Sequence, residues 1–256
     1  MSDGPESPVS LLGGAVSLVR TDGLKPTTDT ALLAAAVMAA EGMHVLDAGA
    51  GSGGAALCLA HRVAGISVTA LEREAEPAAA ARANVEANRF GDRVVVVEAD
   101  LADAGKHLAR ESFDVVMTNP PYLDPATTRG SPDRLRRAAT VESMNMACWL
   151  EFCLALLKPG GEILVVHRAD REETLVAALG EGTGALEIME LRAGGAKDAP
   201  ARRILIRARK GEIQSSRRVT PLVLHGDDGR YTEAAEAVLR HGDALPWLAN
   251  GCIDPT

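Results

Sequence analysis

Val45-Leu46-Asp47-Ala48-Gly49-Ala50-Gly51-Ser52-Gly53-Gly54 runs from a short apolar stretch into a glycine loop, and the loop opens into the helix-forming Ala55-Ala56-Leu57-Cys58-Leu59-Ala60. Glycines let the chain turn sharply and let a ligand approach the backbone without meeting a Cβ. Gly49, Gly51 and Gly54 satisfy the pattern GxGxxG, and Glu72 lies about twenty residues on, at the end of the next strand pattern. A dinucleotide site, an S-adenosylmethionine site and a simple glycine-rich turn all fit this much. Asp47 separates them. A carboxylate two residues before the first glycine opposes a pyrophosphate at a helix N-terminus, whereas it favours the sulfonium and amino group of S-adenosylmethionine. Glu72 can accept from both ribose hydroxyls of either ligand. Asp100, in Glu98-Ala99-Asp100-Leu101, is placed either to accept from an adenine amino group or to cap the following helix.

Outward from the loop, strands and helices alternate. The strand patterns are His44–Asp47, Ile66–Glu72, Val94–Glu98, Phe113–Thr118, Glu162–Val166, Leu186–Leu191 and Arg203–Ala208. Helical patterns lie at 28–40, 53–63, 76–88, 101–109, 142–157 and 170–180. Short β-branched runs separated by helices predict an α/β, Rossmann-like fold: a seven-stranded, mostly parallel sheet with helices on both faces. A polar loop alone separates the last two strands, which predicts an antiparallel hairpin at an edge. The expected organisation is an N-terminal segment, 1–27, partly disordered; the α/β domain that carries the glycine loop, 28–210; and a C-terminal extension, 211–256, packed on the same domain.

With 256 residues, the chain is long enough for a core that needs neither disulfides nor metal. Its four cysteines, Cys58, Cys148, Cys153 and Cys252, form no CxxC pair, which fits reduced thiols in the cytoplasm. No apolar run is long enough to span a membrane, and Asp3 and Glu6 stand where a signal peptide has its basic region. His225 with Asp227-Asp228 is too sparse for a metal site, so no metal is expected. The net charge of −8 excludes indiscriminate coating of nucleic acid, yet Arg129, Arg134, Arg136 and Arg137 face only Asp133 within 129–137. A second basic run, 201–218, holds Arg202, Arg203, Arg207, Arg209, Lys210, Arg217 and Arg218 against Glu212. Each run is read either as a solvated face or as a set of phosphate contacts.

Asn119-Pro120-Pro121-Tyr122 follows the fourth strand, whose C-terminal end faces the same crevice as the glycine loop. Consecutive prolines fix the backbone and remove two N–H donors, leaving carbonyls free to accept. An exocyclic amine conjugated to a ring is a poor nucleophile because its lone pair is delocalised. The Asn119 amide oxygen and the Pro120 carbonyl can hold its two N–H bonds and turn the lone pair toward a methyl group. Tyr122, one of two tyrosines, offers a flat face to a planar base. The long stretch 119–140 without regular pattern then reads as a substrate loop, with Pro121 and the 129–137 arginines on the substrate side. Together the two motifs predict a class I methyltransferase acting on a planar amino nitrogen.

Leu11-Leu12-Gly13-Gly14, Thr28-Asp29-Thr30-Ala31-Leu32-Leu33-Ala34-Ala35, Val166-His167-Arg168, Pro221-Leu222-Val223-Leu224-His225 and Tyr231-Thr232-Glu233-Ala234-Ala235-Glu236 extend the pattern from about Leu11 to Trp247. Across that length the chain resembles the bacterial family of tRNA adenine-N6 methyltransferases that modify the purine beside the anticodon of a valine tRNA. The resemblance implies S-adenosylmethionine held around Asp47, Gly49, Gly51, Glu72, Asp100 and Asn119. It implies a target adenine, in a tRNA anticodon loop, held by Asn119, Pro120, Pro121 and Tyr122. Members usually carry an aromatic–Arg pair where this chain has Leu24-Lys25; Lys25 keeps the charge, without the bidentate fork, and is assigned to the substrate. The tetrapeptide alone also suits methylation of a protein glutamine amide or of a small molecule. A nicotinamide-dependent oxidoreductase leaves Asn119–Tyr122 without a role, and a non-catalytic RNA-binding module leaves Asp47 and Glu72 without one.

Overall fold

The computed structural model describes residues 8–19, 27–121, 146–180, 182–194, 200–213 and 215–245. Tyr122, Lys25, Arg129, Arg134, Arg136 and Arg137, all assigned to the substrate, lie outside the described residues.

The central strands are β3 (His44–Ala48), β4 (Ser67–Glu72), β5 (Val94–Glu98), β6 (Phe113–Thr118) and β7 (Leu157–Arg168), all parallel in the order β7-β6-β3-β4-β5. β9 (Arg203–Lys210) inserts antiparallel between β7 and β8 (Thr183–Arg192). The described main sheet has nine strands, not the expected seven, so β8 is not a free edge. Two two-residue strands, β10 (Arg217–Arg218) and β11 (Leu222–Val223), pair parallel with it. Elements this short, one of them next to Pro221, carry no alternation to read. β7 is also longer than expected: its register with β6 jumps between Phe113 and Val115, where Lys158-Pro159-Gly160-Gly161 loops outward before the regular run begins at Glu162.

Helices α1 (Thr28–Ala36), α2 (Gly54–Arg62), α3 (Ala75–Ala87), α4 (Met146–Leu156), α5 (Glu172–Gly180) and α6 (Glu233–His241) cover the sheet. Strand side chains alternate between two cores. Val45, Val115, Met117, Leu164 and Val166 pack with α1 and α2, while Leu46, Val116, Ile163 and Val165 pack with Leu150, Cys153 and Leu156 of α4 and Leu175 and Leu179 of α5. Each core leucine removed from water contributes roughly 1.5–3 kcal/mol, which makes this two-layer burial the main source of stability. The helix expected over 101–109 is instead a 3-10 run, Leu101–Lys106. Its two buried residues, Leu101 and Ala104, are three apart, and Gly105 weakens a longer helix.

No regular element was expected before Thr28. β1 (Val9–Leu11) and β2 (Val16–Leu18) nevertheless form an antiparallel hairpin around a 3-10 turn, burying Leu12, Val16 and Leu18. The amide of Asn88 serves this hairpin as a further strand would: its Oδ1 accepts from Ser17 N–H at 2.9 Å, and its Nδ2 donates to the Ser17 carbonyl at 2.7 Å. The C-terminal residues close over the same face. Leu245 N–H donates to the Ala35 carbonyl at 3.1 Å, and a Cβ on Gly13 would come within 2.8 Å of the Arg240 carbonyl oxygen.

Candidate active site

The chain passes from β3 to β4 and β5 on one side and then returns to β6 on the other, so a crevice opens at the C-terminal ends of β3 and β6. Ala48 is the register partner of Thr118, which brings Gly49 and Asn119 to neighbouring positions at that crevice. The expectation that both motifs meet is thereby met in space. Gly49 and Ala50 N–H groups both donate to the Leu71 carbonyl, at 2.9 and 3.0 Å, tying the loop to the end of β4.

Two glycines are required by what lies against them. Gly49 has φ +78°, and a Cβ there would stand 3.1 Å from Cζ2 and Cη2 of the Trp149 indole. A Cβ on Gly54 would meet Thr30 Cγ2 at 2.8 Å and Leu18 Cδ1 at 3.3 Å, so α1 and the N-terminal hairpin both close directly on the loop. Asn84, fully buried, reinforces that closure: its Nδ2 donates to the Ser52 carbonyl at 2.9 Å, and its Oδ1 accepts from Val19 N–H at 2.7 Å.

The three acids expected around a cofactor occupy different settings. Glu72 Oε2 accepts from Gly51 N–H at 2.8 Å, and its Oε1 accepts from Glu74 N–H at 2.9 Å, so one carboxylate shapes the loop and the start of the next turn. Asp47 is only 2% exposed, and its Oδ2 accepts from Ala56 N–H in the first turn of α2 at 3.1 Å. Asp47 therefore presents a buried carboxyl beneath the loop, not an exposed oxygen. Burial pushes its carboxyl up to about 7; the Ala56 N–H opposes this and the negative charge of Glu72 adds to it. Asp100 caps the 3-10 turn, Oδ1 accepting from Ala102 N–H at 2.9 Å, and its Oδ2 lies 3.4 Å from Arg73 Nη1. Of its two readings, the cap is present, and the side chain stays one-third exposed beside the crevice.

Asn119 is half-buried at the end of β6, followed by buried Pro120 and half-buried Pro121. Its Oδ1 is buried and accepts no hydrogen bond among the described residues. An amide oxygen in that state costs roughly 1–3 kcal/mol unless something donates to it. A proline follows and supplies no N–H, so among the described residues this oxygen is left to accept from a ligand. The cradle of Gly49 and Gly51, the Glu72 carboxylate and the nearby Asp47 charge together fit a compact cation bearing a ribose. The phosphates of a dinucleotide would meet these same acids unfavourably.

Sequence reasoning missed Thr118, Trp149 and Asn84. Thr118 Oγ1 donates to the Ala48 carbonyl at 2.8 Å and accepts from Trp149 Nε1–H at 3.0 Å. Asn84 carried no signal beyond its place in an alanine-rich helix. Trp149, one of two tryptophans, stood out by rarity alone. His167 is buried, and burial pushes its imidazole down to about 4, so it is neutral at physiological pH.

Six of the seven cations of the second basic run pair with acids among the described residues. Arg207 reaches Glu187 at 2.8 Å, Arg209 reaches Glu162 at 2.6 Å, and Arg203 reaches Asp29 at 2.9 Å. Lys210 pairs with Glu111, Arg217 with Glu187, and Arg218 with Glu172. Excess charge in the sequence is here a lattice of pairs in space.

A family described as the methyltransferase small domain matches residues 25–140. Among solved structures, that of a predicted O-methyltransferase from Agrobacterium tumefaciens has a TM-score of 0.71 at 27% identity, covering 84% of this chain and 97% of that one. TYW2 of M. jannaschii, solved in complex with AdoMet, shares the fold with a TM-score of 0.56 at 17% identity, covering 83% of this chain and 90% of that one. The fold and the site thus define a class I methyltransferase. The tRNA1(Val) (adenine(37)-N6)-methyltransferase of Shewanella amazonensis is 32% identical over 219 residues, covering 85% of this chain and 91% of the relative. Its namesake from Dickeya chrysanthemi is 29% identical over 85% of this chain and 87% of its own. This chain belongs to the tRNA1(Val) (adenine(37)-N6)-methyltransferase family.

Proposed function

We propose that this protein methylates the exocyclic N6 amino group of an adenine in the anticodon loop of a tRNA, in the cytoplasm, with S-adenosylmethionine as donor. The observation that carries this reading is the Oδ1 of Asn119, buried beside the glycine loop and without a hydrogen-bond partner among the described residues. S-adenosylmethionine, when bound, supplies an electrophilic methyl group. Gly49 and Gly51 cradle it, Glu72 and Asp100 take its ribose hydroxyls and adenine amine, and Asp47 supplies the counter-charge.

Asn119 Oδ1 and the Pro120 carbonyl accept the two N–H bonds of the target amine. That draws its lone pair out of conjugation and directs it along the line of attack. As the N–C bond forms the sulfonium S–C bond breaks and the sulfur leaves as the neutral thioether S-adenosylhomocysteine; the methylated amine then loses one proton to water, so no strong base is needed. Tyr122 stacks on the target base, and single-stranded loops are where a base can be turned out to meet it. Pro121, Lys25, Arg129, Arg134, Arg136 and Arg137 serve the substrate, the basic residues through phosphate contacts that position the RNA without reading its sequence.

The decisive experiment is methyl transfer from labelled S-adenosylmethionine to unmodified total tRNA, with nucleosides identified by mass spectrometry. Label in N6-methyladenosine is expected. Cofactor binding without any label in RNA overturns the choice of substrate, and absence of cofactor binding overturns the reading of the glycine loop.

A further inference from the structure

We infer that Trp149 and Thr118 are positioning residues that jointly set the separation between the methyl-donor loop and the methyl-acceptor clamp. This rests on the function proposed above and extends it to residues that touch neither reactant in that scheme. The relay runs from the Trp149 indole N–H to the Thr118 hydroxyl at 3.0 Å, and from that hydroxyl to the Ala48 carbonyl at 2.8 Å. Ala48 immediately precedes Gly49, and Thr118 immediately precedes Asn119. The two residues that the relay joins are therefore the last fixed points before each half of the site.

Three further features give the relay its direction. Thr118 is fully buried, so no water competes for its hydroxyl. Its one proton goes to Ala48 and its oxygen takes the indole proton, leaving it a single orientation. The benzo edge of the same indole, at Cζ2 and Cη2, lies against Gly49, where a Cβ would stand 3.1 Å away. Trp149 thus holds β6 through its nitrogen and stops the loop through its ring. It is itself held by α4, whose Leu150, Cys153 and Leu156 are buried. Ladder bonds between β3 and β6 fix the strands up to Ala48 and Thr118, and the relay adds a cross-brace at the point where that ladder ends.

Methyl transfer is sensitive to this distance, because a misplacement of about 1 Å costs on the order of 10²-fold in rate. The test compares Thr118→Val, which keeps shape and loses both bonds, with Thr118→Ser, which keeps the hydroxyl. Trp149→Phe keeps a ring and loses the N–H. The turnover number is measured at saturating cofactor and tRNA, alongside cofactor affinity by calorimetry and the melting temperature. Thr118→Val and Trp149→Phe should each lower kcat roughly 10- to 100-fold with cofactor Kd within about threefold, and Thr118→Ser should restore most of it. The double variant should be no slower than the worse single, since both cut one relay.

A fall in melting temperature with kcat unchanged makes the relay merely structural and overturns the inference. So does full additivity in the double variant. A wild-type enzyme that binds cofactor but methylates no tRNA removes the proposed function, and the inference with it.

Discussion

Glu72 Oε2 accepts from the Gly51 backbone N–H at 2.8 Å, so the acid ending the second central strand holds open the loop after the first. A carboxylate has about four acceptor sites, and Glu72 uses two, for Gly51 and Glu74. Among the described residues the remaining two are open to a ribose diol. In the proposed function, loop shape and ligand recognition therefore share one side chain. Glu72→Ala should weaken S-adenosylmethionine binding roughly 10- to 100-fold, the loss expected for charge-assisted hydrogen bonds. Glu72→Gln, which keeps one acceptor, should cost less. Isothermal calorimetry measures both, and unaltered affinity in the alanine variant contradicts the role.

Asn119 should show the opposite partition. In the proposed function its oxygen accepts from the target amine, so Asn119→Ala ought to lower kcat about 10²- to 10³-fold, the range for losing one donor or acceptor aimed at a transition state. Cofactor affinity should stay within about threefold. Single-turnover methylation of tRNA separates the two effects. Equal loss of cofactor affinity would place Asn119 on the cofactor instead.

Asp47 links binding to pH. Its carboxyl is pushed up to about 7 by burial, whereas a cation over the loop favours the charged form. Binding should therefore release a proton, and affinity should fall about tenfold for each pH unit well below 7. Calorimetry in buffers of different ionisation enthalpy reads the proton directly. The fold responds in the reverse sense. An acid raised from 3.8 to about 7 stabilises the native state in full below 3.8, and that contribution is lost as pH rises through about 7. Between about pH 4 and 7 urea denaturation of the free protein should show this decline, levelling off above about 7, and Asp47→Asn should flatten both profiles. Persistence of either trend in Asp47→Asn assigns it to another group.

Much of this strand arrangement is legible in the sequence. Val94–Glu98 and Phe113–Thr118 have the same limits in sequence and structure, because each is a β-rich run with polar or glycine-bearing flanks. The glycine loop and Asn119 followed from local chemistry. What escaped reading depends on pairs distant in sequence. Trp149 lies 31 residues from Thr118, and Arg203 lies 174 from Asp29. The hairpin of residues 8–19 escaped for another reason: three-residue strands show no period, and Asn84 of α3 and Asn88, its C-cap, complete the bonding. Helix α1 ends at Ala36, earlier than expected. The Arg62 guanidinium takes the Ala34 carbonyl at 3.0 Å and the Val37 carbonyl as well, closing the helix from outside.

Asn84 is the joint between that hairpin and the loop. Removing its amide leaves the buried Ser52 carbonyl and Val19 N–H unpaired, so Asn84→Ala should destabilise the protein by roughly 2–4 kcal/mol. Urea denaturation gives the value. The hairpin should also become the first part to exchange its amide hydrogens, and protection left unchanged at Ser17 and Leu18 would contradict the coupling.

The two basic runs should differ in their response to salt. Arg217 and Arg218 are paired with Glu187, Glu172 and Glu190, so an approaching phosphate would have to displace carboxylates already in place. Contacts of that kind release few counterions. The run at 129–137 has four arginines against a single acid in sequence and adjoins the Asn119 motif. If those arginines carry phosphates, each contact should contribute about 0.7–0.9 to the slope of log K against log salt. Replacing Arg134, Arg136 and Arg137 together by alanine should then reduce the slope of tRNA binding by roughly 2–3, with cofactor affinity unchanged. Arg217→Ala with Arg218→Ala should leave the slope as it is while lowering stability, because Glu187 is buried and loses one of its two arginines. Filter binding from low to moderate salt distinguishes the two sets. A reduced slope in the Arg217 and Arg218 variant instead would move the RNA to the outer edge of the sheet, beside β8 and β10.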